Sequence, residues 1–161
     1  MKPRWFVILM VLAAFILISQ YALADDLADL KAAHMRLVKA TNTGDMETLF
    51  QFVDDRAVMF GARNGIPHVI RDKEHKAHVK QLYAKFHETH VLIVMWHKPD
   101  YRVIGNTGLV WGLVEETMIS KNSGISQKYF LKASETYVKS DGNWIWVLGH
   151  YTPIPSTQKI Y

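Results

Sequence analysis

The chain contains no cysteine. No disulfide can staple it, and no thiolate can serve as nucleophile or metal ligand. Its stability must come from packing. At 161 residues it is long enough for one core and too short for two ordinary domains. Proline is scarce at five residues, and no linker, repeat or low-complexity tract divides the sequence. There is no glycine-rich phosphate loop, no HExxH pair and no nucleophile elbow. A dominant charge is missing too: 19 Lys and Arg stand against 15 Asp and Glu, scattered along the chain. Without a basic cluster interleaved with aromatics, nucleic acid is excluded as a partner.

What is present begins with one long apolar run. Lys2 and Arg4 precede Trp5 to Ile18, then Ser19, Gln20 and Tyr21 loosen the run and Ala22-Leu23-Ala24 offers a small-x-small cleavage site. The run falls short of the roughly 20 residues a membrane span needs, which argues against the alternative of an uncleaved anchor. No cysteine follows it, so a lipoprotein anchor is excluded. The expectation is a signal peptide over residues 1–24 and a single domain over residues 25–161, exported to the periplasm or secreted, with no stable membrane anchor after cleavage. Without Lys2 and Arg4, the 19 basic residues fall to 17 against 15 acidic ones, too weak a field to select an acidic partner.

Three helices are expected first. Leu27, Leu30, His34, Leu37, Val38 and Thr41 recur at helical spacing behind Asp25 and Asp26, whose carboxylates suit a helix start. Asn42-Thr43-Gly44 ends that helix, and Asp45 caps a shorter one carrying Met46, Leu49, Phe50 and Val53. Ala57 to Phe60 reads as a short strand and Gly61 to Pro67 as a loop. Asp72 caps a third helix with Val79, Leu82, Tyr83 and Phe86 on one face. From there the period becomes two: Val91 to Trp96, a break at Pro99, Tyr101 to Ile104, then Leu109 to Ser120, Ile125 to Lys139 and Trp144 to Tyr151. Asp141-Gly142 is a strong hairpin turn, and Pro153 and Pro155 end the sheet. Helices followed by a meander of long strands give an α+β fold.

Asn42-Thr43-Gly44-Asp45 followed by Phe52-Val53-Asp54-Asp55 resembles the "N-x-G-D … F-x-D-D" opening of the nuclear-transport-factor-2-like superfamily. Val103-Ile104-Gly105, the run Ser134 to Trp144, and the close His150-Tyr151-Thr152-Pro153 resemble its later strands. The nearest branches are the SnoaL-like proteins and the association domain of calcium/calmodulin-dependent kinase. The resemblance covers about Leu27 to Pro155. It implies a cone: a curved antiparallel sheet packed on the three helices of the N-terminal half, with an internal pocket and dimerisation through the sheet. The superfamily hosts isomerases, cyclases, dehydratases and non-catalytic assembly domains, so the fold leaves function open. The general-base aspartate of the ketosteroid isomerases matches Phe60 here, and their oxyanion tyrosine matches Leu37, so that mechanism is not expected. The pocket arginines of the kinase association domain match Glu115, Tyr137 and Tyr151.

That register implies which strand faces point inward. Trp111, Leu113, Glu115 and Thr117 share one face by strand alternation, Ala133, Glu135 and Tyr137 the next, and Val147, Gly149 and Tyr151 a third. Two carboxylates and two phenols would then stand on an apolar wall, the composition of a small-molecule pocket. A carboxyl desolvated there could serve as acid or base. The candidate catalytic residues are Glu115, Glu135 and Tyr137, and the candidate ligand-binding residues are Tyr151, Trp111, His97 and His150. The competing reading puts Glu115 and Glu135 on a solvent or dimer face, paired with Lys128 or Lys132; a one-residue slip decides between the two. His75-x-x-His78 and His87-x-x-His90 have helical spacing without a third ligand, so neither a metal nor any other cofactor is expected, and His75, His78 and His87 are expected on a wetted helix face. Trp111, Tyr129 and Trp146 are expected at a homodimer interface. The sequence reads as an exported protein binding a small organic ligand in a conical pocket, with acid–base chemistry of the isomerase, cyclase or dehydratase type. The alternative is a non-catalytic dimerising or assembly module.

Overall fold

The computed structural model of the protein describes residues 25–61 and 67–155. The expected signal peptide and cleavage site lie outside the described residues. Helix α1 spans residues 25–43, α2 is Met46–Gln51 and α3 is Lys73–Thr89. The strands are β1, Val53–Phe60; β2, Pro67–Val69; β3, His90–Ile104; β4, Thr107–Ser120; β5, Ser126–Ser140; and β6, Asn143–Pro153. They form one open six-stranded sheet in the order β2-β1-β6-β5-β4-β3. The long strands β3 to β6 are the expected antiparallel meander. The sheet as a whole is mixed, because β1 runs parallel to β6. The fold is α+β, with the helices of the N-terminal half packed on one face of the sheet.

Helix α1 is set by its apolar stripe. Leu30, Ala33, His34, Leu37 and Ala40 are buried along one stripe, and Leu30, Ala33 and Leu37 share a core with Val110, Tyr137 and Trp144 of the sheet. The approach is close: a Cβ on Gly108 of β4 would stand 2.6 Å from a Leu30 methyl, so any side chain there would have to displace the Leu30 side chain. Gly44, at φ +70°, breaks the helix as expected. Asp45 then accepts from the Thr48 N–H at 3.0 Å and Asp72 from the His75 N–H at 2.8 Å, the two side-chain caps anticipated from sequence. The motif asparagine ties helix to sheet. Asn42 donates to the Val94 carbonyl at 3.0 Å and accepts from the Val94 N–H at 2.6 Å, satisfying two backbone groups on edge strand β3.

The described sheet has three register shifts; one lies between Val53 and Val58 on β1, and the other two bear on the site. Where Pro99 was expected to break the strand, β3 runs through with a bulge between His97 and Asp100. Lys98 there takes φ 48°, a left-handed conformation uncommon outside glycine, and bulges bend the bulged strand. A second register shift lies between Thr136 and Tyr137 against β6. It displaces Val147 from the alternation that sequence assigned to it, while Trp146, Gly149 and Tyr151 stay on the helix side. The Asp141-Gly142 turn has both residues at positive φ, 49° and 78°, as a two-residue type I′ hairpin requires. On α3, Val79 and Tyr83 pack on the core, whereas Leu82, expected on that face, is exposed.

Candidate functional site

Each pair of residues directly opposite on neighbouring strands shares a face. Val110 faces Glu135, Gly112 faces Ala133, Val114 faces Leu131 and Glu116 faces Tyr129; these line the inner, helix-covered side. Trp111, Leu113, Glu115 and Thr117 oppose Ser134, Lys132, Phe130 and Lys128 and form the outer side. The register expected from sequence was therefore correct on β5 and one residue out on β4. Glu115 and Glu135 stand on opposite faces of the sheet.

Glu135, Tyr137 and Tyr151 do come together. Tyr137 O–H donates to Glu135 Oε2 at 2.6 Å and Tyr151 O–H to Oε1. The carboxyl is almost wholly buried, at 8 % exposure, and Tyr137 is fully so. Burial pushes Glu135 above the usual carboxylate range, while the two donated hydrogen bonds pull it back. Burial and then the Glu135 charge push both phenols well above theirs, so they stay protonated and remain donors.

In the sequence His34 is only one member of the α1 stripe. Its ring has no exposure. Nδ1 shares a 2.8 Å hydrogen bond with the Tyr101 hydroxyl. Nε2 lies 3.8 Å from Glu135 Oε2 and has no hydrogen-bond partner among the described residues. Trp96 meets the ring edge-on at 4.7 Å and holds it in place. Burial depresses the imidazole from 6.5 to about 4, so it is neutral near pH 7. Burial also raises the Tyr101 phenol, with a further contribution from Glu135. The inner side thus gathers two hydrogen-bonded groups, Tyr101 with His34 and Glu135 with Tyr137 and Tyr151, 3.8 Å apart at the His34–Glu135 gap, whose members can accept, hold and donate protons away from bulk water. A signal for His34 was available: a titratable residue in the middle of an otherwise apolar helical stripe.

The remaining candidates lie elsewhere. Glu115 is on the outer face, where Lys128 Nζ approaches to 2.6 Å and His97 Nε2 to 3.6 Å. The Lys128 hydrogen bond holds its carboxyl below the usual range, the opposite of the shift an inner acid would show. Trp111 is 40 % exposed on that same outer face. His97 is exposed there and does not reach the inner side, because β3 alternation turns Trp96 inward instead. His150 is exposed, packs edge-on against Phe60 and lies 3.3 Å from the Thr152 hydroxyl. Tyr129 and Trp146, expected at an interface, pack on the inner side. His87, expected on a wetted face, has its Nε2 buried, and burial lowers its pKa. Among the described residues no group of three or more His, Asp or Glu side chains could hold a metal ion, and no helix is long and apolar enough to cross a membrane.

No known family profile and no curated protein matches the chain in sequence. Solved structures do match it in fold. A ketosteroid isomerase-like protein from Erwinia carotovora atroseptica superposes with a TM-score of 0.62 at 18% identity, covering 80% of this chain and 96% of its own. A protein of the nuclear-transport-factor-2-like group from Rhodospirillum rubrum, of unknown function in nutrient uptake, gives 0.64 at 18% identity over 78% and 98%. The hub of calcium/calmodulin-dependent kinase II from S. rosetta gives 0.60 at 16% identity over 79% and 95%. The chain has the nuclear-transport-factor-2-like fold that its opening and closing motifs pointed to.

Proposed function

We propose that the chain is an exported protein whose cone binds a small organic molecule and moves a proton on it, in the manner of an isomerase, cyclase or dehydratase. The observation that carries this reading is the buried set on the inner face. Glu135 receives two phenolic hydrogen bonds and faces an imidazole nitrogen that has no hydrogen-bond partner among the described residues. A carboxyl raised by burial is a competent acid or base nearer neutral pH than an ordinary glutamate, and the neutral imidazole 3.8 Å away is a second proton carrier. The fold neighbours named for a ketosteroid isomerase-like protein and for a kinase hub are compatible with a catalytic and with an assembly role. A carboxyl titration by carbon NMR tests the site. Glu135 should titrate above the reference value of about 4.3, and metabolites retained by the purified protein should be lost on replacing Glu135 by Gln. An ordinary titration with nothing retained sinks the catalytic reading.

A second reading has its own support. Ile93, Met95, Trp111 and Phe130 are exposed together on the outer face of β3 to β5, and such a patch suits a two-fold interface. We infer a homodimer through this face, in a catalytic or an assembly protein alike. Light scattering should report twice the protomer mass, and Trp111→Lys should return it to one. Export is checked by N-terminal sequencing of the natural protein: Asp25 is the expected first residue, and a retained Met1 on membrane-bound protein contradicts it.

A further inference from the structure

Away from the inner face, a cleft of about 460 Å³ opens between α2, the start of β1 and α3, a volume in the range of small-molecule sites. Phe50 gives it an apolar base, nearly buried and met edge-on by Tyr83 at 5.8 Å. Thr48 and Gln51 line the α2 wall. On α3, Val79 and Tyr83 turn to the core, and Lys73, Lys76 and Lys80, spaced by three and four, share the flank that faces α2. Ala77 between them keeps that wall low.

The three lysines are held to different degrees. Lys76 is half-buried, donates to the Val53 carbonyl and lies 3.0 Å from Asp55 Oδ1, so it fastens β1 to α3. Lys80 Nζ is 2.5 Å from Glu47 Oε1, yet the Glu47 side chain is 86 % exposed, and a pair so open to water holds weakly. Lys73 is exposed and has no ion pair or hydrogen bond among the described residues. Lysines thus outnumber carboxylates three to two along the cleft, and the charge left over sits at the Lys73 end. Seven residues of helix, about 10 Å along the axis, separate Lys73 from Lys80. The backbone N–H groups that could cradle a phosphate at a helix start are engaged already: Asp72 takes that of His75 and Asp45 that of Thr48. Among the described residues no arginine lines the cleft to grip an oxyanion with two parallel bonds. Two separated point charges over an apolar base suit an extended anion, charged at both ends, better than a compact one.

We propose that this cleft binds a linear aliphatic dicarboxylate, with one carboxylate at Lys73, the other at Lys80 in place of Glu47, and the methylenes on Phe50 and Ala77. The site is separate from the buried set around Glu135 and stands whether or not that set is catalytic. Glu47 is then the cleft's own competitor, occupying Lys80 until the ligand displaces it.

Three six-carbon probes separate charge from fit: adipate with two charges, hexanoate with one and 1,6-hexanediol with none. Each is titrated at millimolar concentration and constant ionic strength into the purified natural protein, following the amides of Thr48, Gln51, Lys73 and Ala77 by NMR. Adipate should bind about fivefold more tightly than hexanoate, the ratio for one added ion pair at an open site, and the diol should not bind. Lys73→Gln and Lys80→Gln should each bring adipate down to the level of hexanoate. Glu47→Gln should tighten adipate about threefold by removing the competitor. The outer-face Lys128→Gln is the control and should change nothing. Hexanoate or inorganic phosphate binding as tightly as adipate overturns the proposal, and so does an adipate affinity that Glu47→Gln leaves unchanged. If no probe moves these amides, the cleft is not a ligand site for this class.

Discussion

Glu115 on β4 and Glu135 on β5 come from the same two neighbouring strands, yet they face opposite sides of one sheet. Glu115 meets water, Lys128 and His97, and its carboxyl is held ionised. Glu135 meets two phenols and a neutral imidazole, and burial favours its protonated form. Chemically identical groups thus acquire opposite tendencies from a displacement of one residue in register. The difference lies in what the opposite face supplies. The outer face offers lysines and solvent. The inner face is roofed by α1, whose apolar stripe carries one titratable residue, His34, directly over Glu135.

The sharpest way to break this contrast is to empty the two faces at adjacent residues. Leu131 is buried on the inner floor, and Leu131→Ala should destabilise by about 2–5 kcal/mol. Phe130, one residue away and exposed, should cost the protomer only about 0.5 kcal/mol on change to Ala. Urea denaturation of both variants decides it, and similar losses would mean that the faces are not distinct.

The next effect is in pH. His34 falls from 6.5 to about 4 on folding, so the folded state binds fewer protons in that window. Its contribution is complete above 6.5 and is lost as the pH falls to 4, a change of about 3 kcal/mol. Glu135 is shifted up and acts with the opposite sign: the folded state gains its proton first, so stability rises as the pH falls through its raised pKa. In the natural protein the two slopes oppose each other. His34→Leu removes one slope that opposes Glu135, while those of His87 and Glu115 remain, so acidification from neutral pH should lower the denaturation midpoint less than in the natural protein. A variant whose profile tracks the natural one would show that His34 is not buried neutral.

A smaller effect tests the phenols. Glu135→Leu leaves the Tyr137 and Tyr151 hydroxyls without their acceptor, which should cost about 1–3 kcal/mol. Adding Tyr137→Phe should return part of that loss, a non-additivity that a double-mutant cycle reads directly. Full additivity would mean that the 2.6 Å hydrogen bond contributes little. The smallest effect is expected on the outer side. Glu115→Gln should change the denaturation midpoint little at neutral pH, since the pair's lysine end is open to solvent and such surface pairs contribute little. A large loss there would put Glu115 in a dry environment and close the contrast.

The legible parts of the fold were those written in local chemistry. Asp45 and Asp72 announce helix starts, Gly44 a helix end and Asp141-Gly142 a type I′ turn, and each needs only its neighbours to act. The long strands β3 to β6 were legible from alternation and turns. The parallel pairing of β1 with β6 was not, because β1 finds that partner far along the chain, nor was β2, whose three residues are too few to show alternation. In the site, the resemblance to the kinase association domain turns Tyr137 and Tyr151 inward and strand alternation adds Glu135, and the three do meet. Glu115 was misplaced because the relative register of β4 and β5 is set by pairing and by the turn between them, and a slip of one inverts a whole face. The same limit caught Tyr129 and Trp146. His34 was passed over because helical spacing says that a residue faces the core and nothing about which strand residue waits beneath it.

Asn42 has a consequence beyond fastening α1. Strand β3 is the end of the sheet and fifteen residues long, and an uncovered edge of that length is a template on which another chain can add a strand. Asn42 occupies both backbone groups of Val94 that such a chain would use. Further along, Pro99 has no N–H to offer, and Lys98 turns the backbone out of line. An incoming strand would meet a side chain where it needs a donor and an acceptor, and a kink soon after. The motif that ends the first helix therefore also guards the border of the sheet, and Asn42→Ala should first reveal itself as slow aggregation of protein that is still folded.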